Sequence, residues 1–215
     1  RNQPVPHRVV IPVHRFLYGM EFLPPEIQQY TEAHTSPEPA ALAAIARSTW
    51  LEVLSPRMLS GHLQGQFLYF ITAMLRPRRV LEIGTYTGYS ACCMARGLSG
   101  DARLHTLEVN PELIPRIQRN IAQAGLQETI IVHAGDARSI IPSLQETWDL
   151  VFIDADKQSY LTYYEAVLPS LRAGAILLAD NVLWSGKVIS DANDADTVAI
   201  RAFNDRVQQD DRVEN

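Results

Sequence analysis

The sequence predicts an α/β domain built on a doubly wound, mostly parallel sheet with helices on both faces. From Arg79 onward, short apolar runs alternate with stretches of helical length. Strands separated by helices in this way form right-handed βαβ units, whose sheet is covered on both faces. In addition, a glycine or an acidic residue stands at the end of all five predicted strands. These patterns indicate a Rossmann-like sheet with a ligand site beyond the carboxyl ends of its strands.

Before this alternation, the sequence predicts an irregular arm and two helices. Residues 1–36 contain several prolines and no sustained period, apart from a short helix near 26–31. Ser36 and Pro37 are typical of a helix start, so a helix is expected from there to about Leu54. A second helix is expected over 60–75, with these apolar residues on one face: Leu63, Phe67, Phe70, Ile71 and Met74.

The elements of the alternating region follow in order. Strands are expected at 79–83, 103–109, 129–134, 149–154 and 174–180, and helices at 89–99, 111–124, 137–144, 158–171 and 195–209. Gly125 and Gly174 stand where helices should stop. A chain of 215 residues is expected to be a single domain over 1–215. Within it, 1–55 would be an N-terminal arm and helix serving as lid or dimer surface, and 56–215 the cofactor-binding core.

Composition restricts the partners. The net charge of −5 gives no support for binding nucleic acid through its phosphates. No apolar run reaches the roughly 18 residues of a membrane-spanning helix, so no membrane partner is expected. The two cysteines, Cys92 and Cys93, are neighbours and cannot form an ordinary structural disulfide, which favours the cytoplasm.

A glycine turn follows the first strand and predicts a nucleoside site. Gly84 and Gly88 would let the backbone approach a ligand closely, and the next helix would offer free N–H groups. Glu108 ends the second strand, where an acid accepts hydrogen bonds from ribose hydroxyls. The G-x-G-x-x-G spacing of dinucleotide sites is missing. This speaks against a nicotinamide-dependent oxidoreductase, which remains the alternative enzyme.

Two further strand ends predict a cation site. Asp154 follows one apolar run, and Asp180 and Asn181 follow the next. Two carboxylates and an amide oxygen suit Mg²⁺, and Ca²⁺ or Mn²⁺ also accept such ligands, whereas zinc prefers His and Cys. The structural alternatives are that the aspartates only cap loops and that Lys157 is a solvated lysine paired with Asp156.

The same cluster predicts a reaction. A substrate with two neighbouring hydroxyls could chelate the open positions of the cation, which would stabilise the phenolate as a Lewis acid. Lys157 could then accept the proton of the reacting hydroxyl, provided that it is neutral part of the time. The non-enzymatic alternative is a cofactor-binding scaffold, against which the intact cation and base positions speak.

Three segments carry a family resemblance: 80–90, 152–157 and 178–186. They resemble the motifs of class I S-adenosylmethionine-dependent methyltransferases, and more narrowly the cation-dependent O-methyltransferases of the caffeoyl-CoA and catechol groups, with a bacterial type of N-terminal side. The resemblance covers about 55–215. It implies a divalent-cation-dependent O-methyltransferase that acts on a vicinal diphenol, such as a catechol or a caffeoyl-type small molecule. It also implies a homodimer.

The resemblance also implies residue roles. Lys157 and Asp154 would be catalytic, and Asp154, Asp180 and Asn181 would hold the metal. Asp154 would face both the metal and the methyl group of S-adenosylmethionine, and Asp136 would lie near the adenine. The remaining cofactor contacts would be Ser60, Glu82, Gly84, Thr85, Ser90, Glu108, Ala137 and Asp156.

Family members continue with an antiparallel strand pair that completes a seven-stranded sheet. The printed sequence stops close to Val213, where that pair should begin. Either the pair lies beyond Asn215 or the sheet lacks it.

Overall fold

The computed structural model describes residues 24–215. Three helices precede the sheet: α1 (Pro25–Ala33), α2 (Ala40–Glu52) and α3 (Gly61–Leu75). Five more follow among the strands: α4 (Tyr89–Ala95), α5 (Ile114–Gln123), α6 (Ala137–Ile140), α7 (Tyr160–Val167) and α8 (Ala195–Gln208). In this described range, no helix combines the length and the apolar character needed to cross a bilayer.

The described residues form one parallel sheet of five strands, as the alternation predicts. The strands are β1 (Arg79–Ile83), β2 (Arg103–Glu108), β3 (Ile130–Ala134), β4 (Trp148–Ile153) and β5 (Leu171–Ala179). Their order is β3-β2-β1-β4-β5. The chain therefore winds outward from β1 to β3, crosses back and winds out the other way from β4. Ligands bind at such a switch point, here between β1 and β4.

Two apolar layers cover the sheet. On one face, Leu68 of α3, Cys92 of α4 and Ile117 of α5 pack on Val80 and neighbouring strand residues. On the other face, residues of α6, α7 and α8 pack on the strands around Leu81 and Val151. The central strands β1 and β4 are thus buried on both faces, as is usual for parallel sheets, whereas the edge strands β3 and β5 are partly exposed.

The predicted start of the first long helix is wrong. The helix begins at Ala40, not at Ser36, and Pro39 is its N-cap in a non-helical, extended conformation, with φ −57° and ψ 141°. A proline disfavours helical geometry in the residue before it, so Pro39 delays the helix beyond Glu38. Gly125 does follow the end of α5, with a positive φ of 69°.

Gly174 does not end a helix, contrary to the prediction. The helix α7 ends at Val167, a 3₁₀ turn over Leu168–Ser170 follows, and β5 begins at Leu171. Gly174 lies inside β5 with φ +79°, where the pairing with β4 is irregular. A glycine within a strand commonly marks such a bulge.

The apolar face predicted for α3 is not its core face. The helix buries Gly65, Gln66, Leu68 and Thr72, whereas Phe67, Phe70 and Met74 are exposed. The reason is close packing on α4: a Cβ added at Gly65 would lie 2.6 Å from Cys93 Sγ. The predicted arm lies mostly in residues 1–23, outside the described residues.

Candidate active site

The register of β4 and β5 brings Asp154 and Asp180 side by side. Ile153 pairs with Ala179, so the next residue on each strand is one of the two aspartates. The amide of Asp180 donates to the carbonyl of Ile153 at 2.9 Å, and that of Asp154 donates to the carbonyl of Ile83 at 2.9 Å. The sheet hydrogen bonding therefore extends to the rim and holds both backbones.

Lys157 bridges the two aspartates. Its Nζ donates to Asp154 Oδ1 at 3.2 Å and to the carbonyl oxygen of Asp180 at 2.7 Å. Burial raises the pKa of Asp154, and the Lys157 ammonium acts in the opposite direction. Only 10% of the lysine side chain is exposed. The alternative of a solvated lysine paired with Asp156 is therefore wrong.

Two neighbours of this cluster escaped the sequence reasoning. The Tyr160 hydroxyl accepts from Lys157 Nζ at 2.5 Å and donates to the Asp180 carbonyl. Gln64 Nε2 donates to Asp180 Oδ2 at 3.1 Å. The i,i+3 spacing from Lys157 could have suggested the tyrosine, because such residues face each other on a helical turn. No local signal points from Gln64 to a residue 116 positions away.

The glycine turn brings the ends of β1 and β4 into close contact. Gly84 has φ +101°, and a Cβ placed there would lie 2.2 Å from the carbonyl oxygen of Asp154. Only glycine tolerates both the conformation and the approach. Thr85 and Ser90 follow in the turn and the first part of α4, and both are buried against the site.

The ends of β2 and β3 form the predicted nucleoside side. The Glu108 carboxylate accepts from the backbone N–H groups of Tyr86 and Asn110, each at 2.8 Å. Asp136 caps α6, and hydrogen bonds from the Arg138 guanidinium lower the pKa of its carboxyl group. Two oriented carboxylates thus stand over adjacent strand ends, as a ribose and an adenine would need.

Asp156 joins the nucleoside side to the cation side. Tyr163 donates its hydroxyl to Asp156 Oδ1 at 2.6 Å. Burial, followed by this hydrogen bond, raises the pKa of Tyr163 to about 12. The phenol therefore stays protonated and keeps the Asp156 carboxylate in one orientation.

Glu82 lies beneath the site rather than in it. It is fully buried, and its Oε2 accepts from the Thr106 hydroxyl at 2.5 Å. Within the described part of the chain, its Oε1 has no hydrogen-bond partner. Burial raises the pKa of Glu82 to about 8, although the hydrogen bond from Thr106 acts in the opposite sense.

Two adjoining cavities of about 530 and 1130 Å³ contain the other predicted site residues. The smaller is lined by Ser60, Gly84, Thr85, Ser90, Asp154, Asp156, Lys157, Asp180 and Asn181. The larger is lined by Gly84, Glu108, Asp136, Ala137, Asp154 and Asp156. Gly84, Asp154 and Asp156 border both cavities. Glu82 is the only predicted site residue that lines neither cavity.

The donor set at the smaller cavity fits a hard cation. In residues 24–215, no group of three or more His, Cys, Asp or Glu side chains is placed to hold a metal ion. The set consists of two carboxylates and the Asn181 amide, which suits Mg²⁺ because Mg²⁺ keeps several positions for water or substrate oxygens. The Lys157 ammonium lies against oxygens of Asp154 and Asp180, so the position already attracts positive charge.

Chemically, the arrangement combines a nitrogen that can carry a proton with a polar pocket for an acceptor. Trp184 lines the pocket, and the ammonium groups of Lys157 and Lys187 each lie 5.8 Å from its ring centroid. These are the only two lysines of the chain. An aromatic wall beside a cationic base suits a flat phenolic acceptor.

Comparisons with known proteins agree with this geometry. The family described as O-methyltransferase matches residues 32–215. A catechol O-methyltransferase of Mycobacterium tuberculosis is 36% identical over 83% of this chain and 81% of its own length. A probable caffeoyl-CoA O-methyltransferase of Dictyostelium discoideum is 34% identical over 73% and 71%.

A solved structure gives the same result at the level of the fold. The O-methyltransferase of Bacillus cereus, in complex with S-adenosylhomocysteine, superposes with a TM-score of 0.83 at 32% identity over 88% of each chain. The chain therefore belongs to the O-methyltransferase family.

Proposed function

We propose that this enzyme transfers the methyl group of S-adenosylmethionine to one hydroxyl of a vicinal diphenol, a catechol or caffeoyl-type small molecule. Asp154, Asp180 and Asn181 would hold a divalent cation, with Mg²⁺ favoured. The observation that carries the proposal is that Lys157, in the wall of the smaller cavity, contacts both Asp154 and Asp180. Relatives named for catechol and caffeoyl-CoA support the acceptor class.

The donor would occupy both cavities. Glu108 would accept hydrogen bonds from the ribose hydroxyls, and Asp136 would lie near the adenine. The N–H groups at the start of α4 would face the carboxylate of the methionine portion. The methyl group would then lie near Asp154, because Asp154 borders both cavities.

Lys157 is assigned the proton of the reacting hydroxyl. It must first release to solvent water one of the three protons that it donates in this structure. The hydroxyl proton then passes to Nζ while the oxygen attacks the methyl carbon, and the carbon–sulfur bond breaks with its electron pair going to sulfur. The products are a methyl ether, S-adenosylhomocysteine and the Lys157 ammonium.

When bound, the cation would stabilise negative charge on the acceptor and hold two neighbouring oxygens. The protein's own residues position the other parts of the site. Sheet hydrogen bonds hold the backbones of Asp154 and Asp180, and Trp184 shields one side of the pocket. Such positioning can lower the barrier by roughly 7–11 kcal/mol in favourable systems.

The sharpest test of the acceptor compares three isomers that differ only in the placement of two hydroxyls. With S-adenosylmethionine and Mg²⁺, 1,2-dihydroxybenzene should be methylated, and the 1,3- and 1,4-isomers should not. Equal rates for all three isomers would remove the chelation argument. If none yields S-adenosylhomocysteine, a scaffold is favoured, whereas tight binding of NAD would favour the oxidoreductase.

The same proposal includes a homodimer. Phe67, Phe70 and Met74 form an exposed apolar stripe on α3, and Trp50 and Leu54 are exposed near the end of α2. Contiguous apolar surface of this kind commonly marks a protein interface. A mass measurement in solution should give twice the chain mass, and replacing Phe70 with Glu should give monomers. A monomeric wild-type protein contradicts this part of the proposal.

The cytoplasm is the proposed compartment. Cys92 and Cys93 are both buried as free thiols, and burial raises the pKa of Cys92 to about 12. Such thiols need no oxidising environment. Fractionation of the producing cells checks this assignment.

A further inference from the structure

Asp180 accepts hydrogen bonds at two places, its backbone carbonyl and its side-chain carboxylate. Its backbone carbonyl oxygen accepts from Lys157 Nζ at 2.7 Å and from the Tyr160 hydroxyl. Its carboxylate accepts from Gln64 Nε2 at 3.1 Å, through Oδ2. The backbone contacts fix where the residue is, whereas the amide of Gln64 fixes which way its carboxylate points.

Gln64 has the chemistry that such a task needs. A side-chain amide donates a hydrogen bond without carrying charge. Unlike a lysine or an arginine, the amide adds no further positive charge to a site where the Lys157 ammonium already contacts Asp154 Oδ1. Because Gln64 engages Oδ2, the other carboxylate oxygen is left to face a cation.

The helix that carries Gln64 is firmly seated. Gln64 lies in the first turn of α3, and its neighbour Gly65 packs so closely on α4 that a Cβ would lie 2.6 Å from Cys93 Sγ and 2.9 Å from Tyr89 Cε1. A side chain on a rigid element holds its partner more accurately than one on a loop. Gln64 is also part of the lining of the smaller cavity.

We propose that Gln64 is a positioning residue of the cation site, whose amide holds the Asp180 carboxylate in the orientation that binds a divalent cation. The inference rests on the proposed function, because that function places the cation at Asp180. Groups that orient a metal ligand typically change metal affinity 10- to 100-fold when removed. Loss of the Gln64 amide should therefore weaken the cation rather than the methyl donor.

The test measures Mn²⁺ binding directly, by electron paramagnetic resonance of the free ion, in the full chain loaded with S-adenosylhomocysteine. Gln64→Met keeps the length of the side chain and removes the donor, whereas Gln64→Asn keeps the amide and loses the reach. Gln118→Met, at an exposed site on α5, is the matched control. Both Gln64 variants should bind Mn²⁺ at least about tenfold more weakly. The control should match the wild type, and all four proteins should bind S-adenosylhomocysteine equally.

Three results overturn the inference. Equal Mn²⁺ affinity in the wild type and both Gln64 variants removes the positioning role. A lower melting temperature with unchanged Mn²⁺ affinity assigns Gln64 to helix packing alone. If the wild-type protein binds no Mn²⁺ and still methylates a diphenol in chelator, the reaction needs no cation. The proposed positioning role of Gln64 is then wrong as well.

Discussion

At the scale of single residues, Lys157 connects the two halves of the site. Its Nζ contacts the end of β4 through Asp154 and the end of β5 through Asp180. The Tyr160 hydroxyl receives its third hydrogen bond, so all three donors are used. These three contacts fix the position of Nζ before the acceptor arrives, and one of the three protons must leave before Nζ can accept the hydroxyl proton.

Replacing Lys157 with Met removes the proton acceptor but leaves the donor pocket intact. We expect kcat to fall by about 10²- to 10⁴-fold, the usual range for a general base. The affinity for S-adenosylhomocysteine, measured by calorimetry, should stay within twofold. Lys187→Met is the matched control, because Lys187 is the other lysine beside Trp184 and contacts Asp194 instead. A Lys157→Met enzyme with normal kcat would remove the base assignment.

Glu82 predicts a pH dependence of stability. Its ordinary pKa of 4.5 is raised to about 8 in the folded chain. Between these values the folded state holds a proton that the unfolded state has released, so the free energy of unfolding falls as pH rises. The slope is at most about 1.4 kcal/mol per pH unit.

Denaturant unfolding of the ligand-free protein from pH 5 to pH 8 measures this slope. In Glu82→Gln the part of the slope due to Glu82 should vanish, because the amide does not titrate. Glu128→Gln, at an exposed position, should keep the wild-type slope. Parallel pH profiles for the wild type and Glu82→Gln would show that Glu82 is ionised at both ends of the range.

At the scale of elements, the turn between β1 and α4 is the tightest junction of the site. It places the backbone of Gly84 against that of Asp154, and Tyr89 and Ser90 at the start of α4 line the smaller cavity. The glycine turn and the strand-end aspartates could be predicted from sequence, because each signal is local. The exposed face of α3 could not, since helix periodicity shows that an apolar face exists but not what covers it.

Gly84→Ala tests this junction. The added Cβ would lie 2.2 Å from a backbone oxygen that no side-chain rotation can move away. We expect a loss of stability of more than about 2 kcal/mol, because backbone strain adds to the clash. Affinity for S-adenosylhomocysteine should fall more than about tenfold, since more than 1.4 kcal/mol of binding would be lost.

Gly100→Ala is the control for that change. Gly100 also has a positive φ, of 64°, but no atom lies within 4 Å of the added Cβ. It should cost only about 1–2 kcal/mol of conformational strain and leave ligand binding unchanged. If Gly84→Ala behaves like Gly100→Ala, the close contact with Asp154 does not matter for the site.

At the scale of the whole molecule, the switch in strand order explains why the site is where it is. The chain leaves β1 toward β3 and returns through β4 toward β5, so the cavities lie beyond the ends of β1 and β4, where Gly84 and Asp154 line both of them. The parallel sheet could be predicted from the alternating apolar runs. The residues at its rim could be predicted because a glycine or an acidic residue ends each run. Contacts such as Gln64 to Asp180 depend on how α3 packs across the fold, which no local pattern encodes.

The most direct measurement is turnover of 1,2-dihydroxybenzene by enzyme freed of metal and then titrated with Mg²⁺. We predict no methyl transfer in chelator and full activity once Mg²⁺ is restored. Asp180→Ala should remain inactive at the same Mg²⁺ concentration while binding S-adenosylhomocysteine normally. Full turnover by the wild-type enzyme in chelator would contradict the cation-dependent reaction.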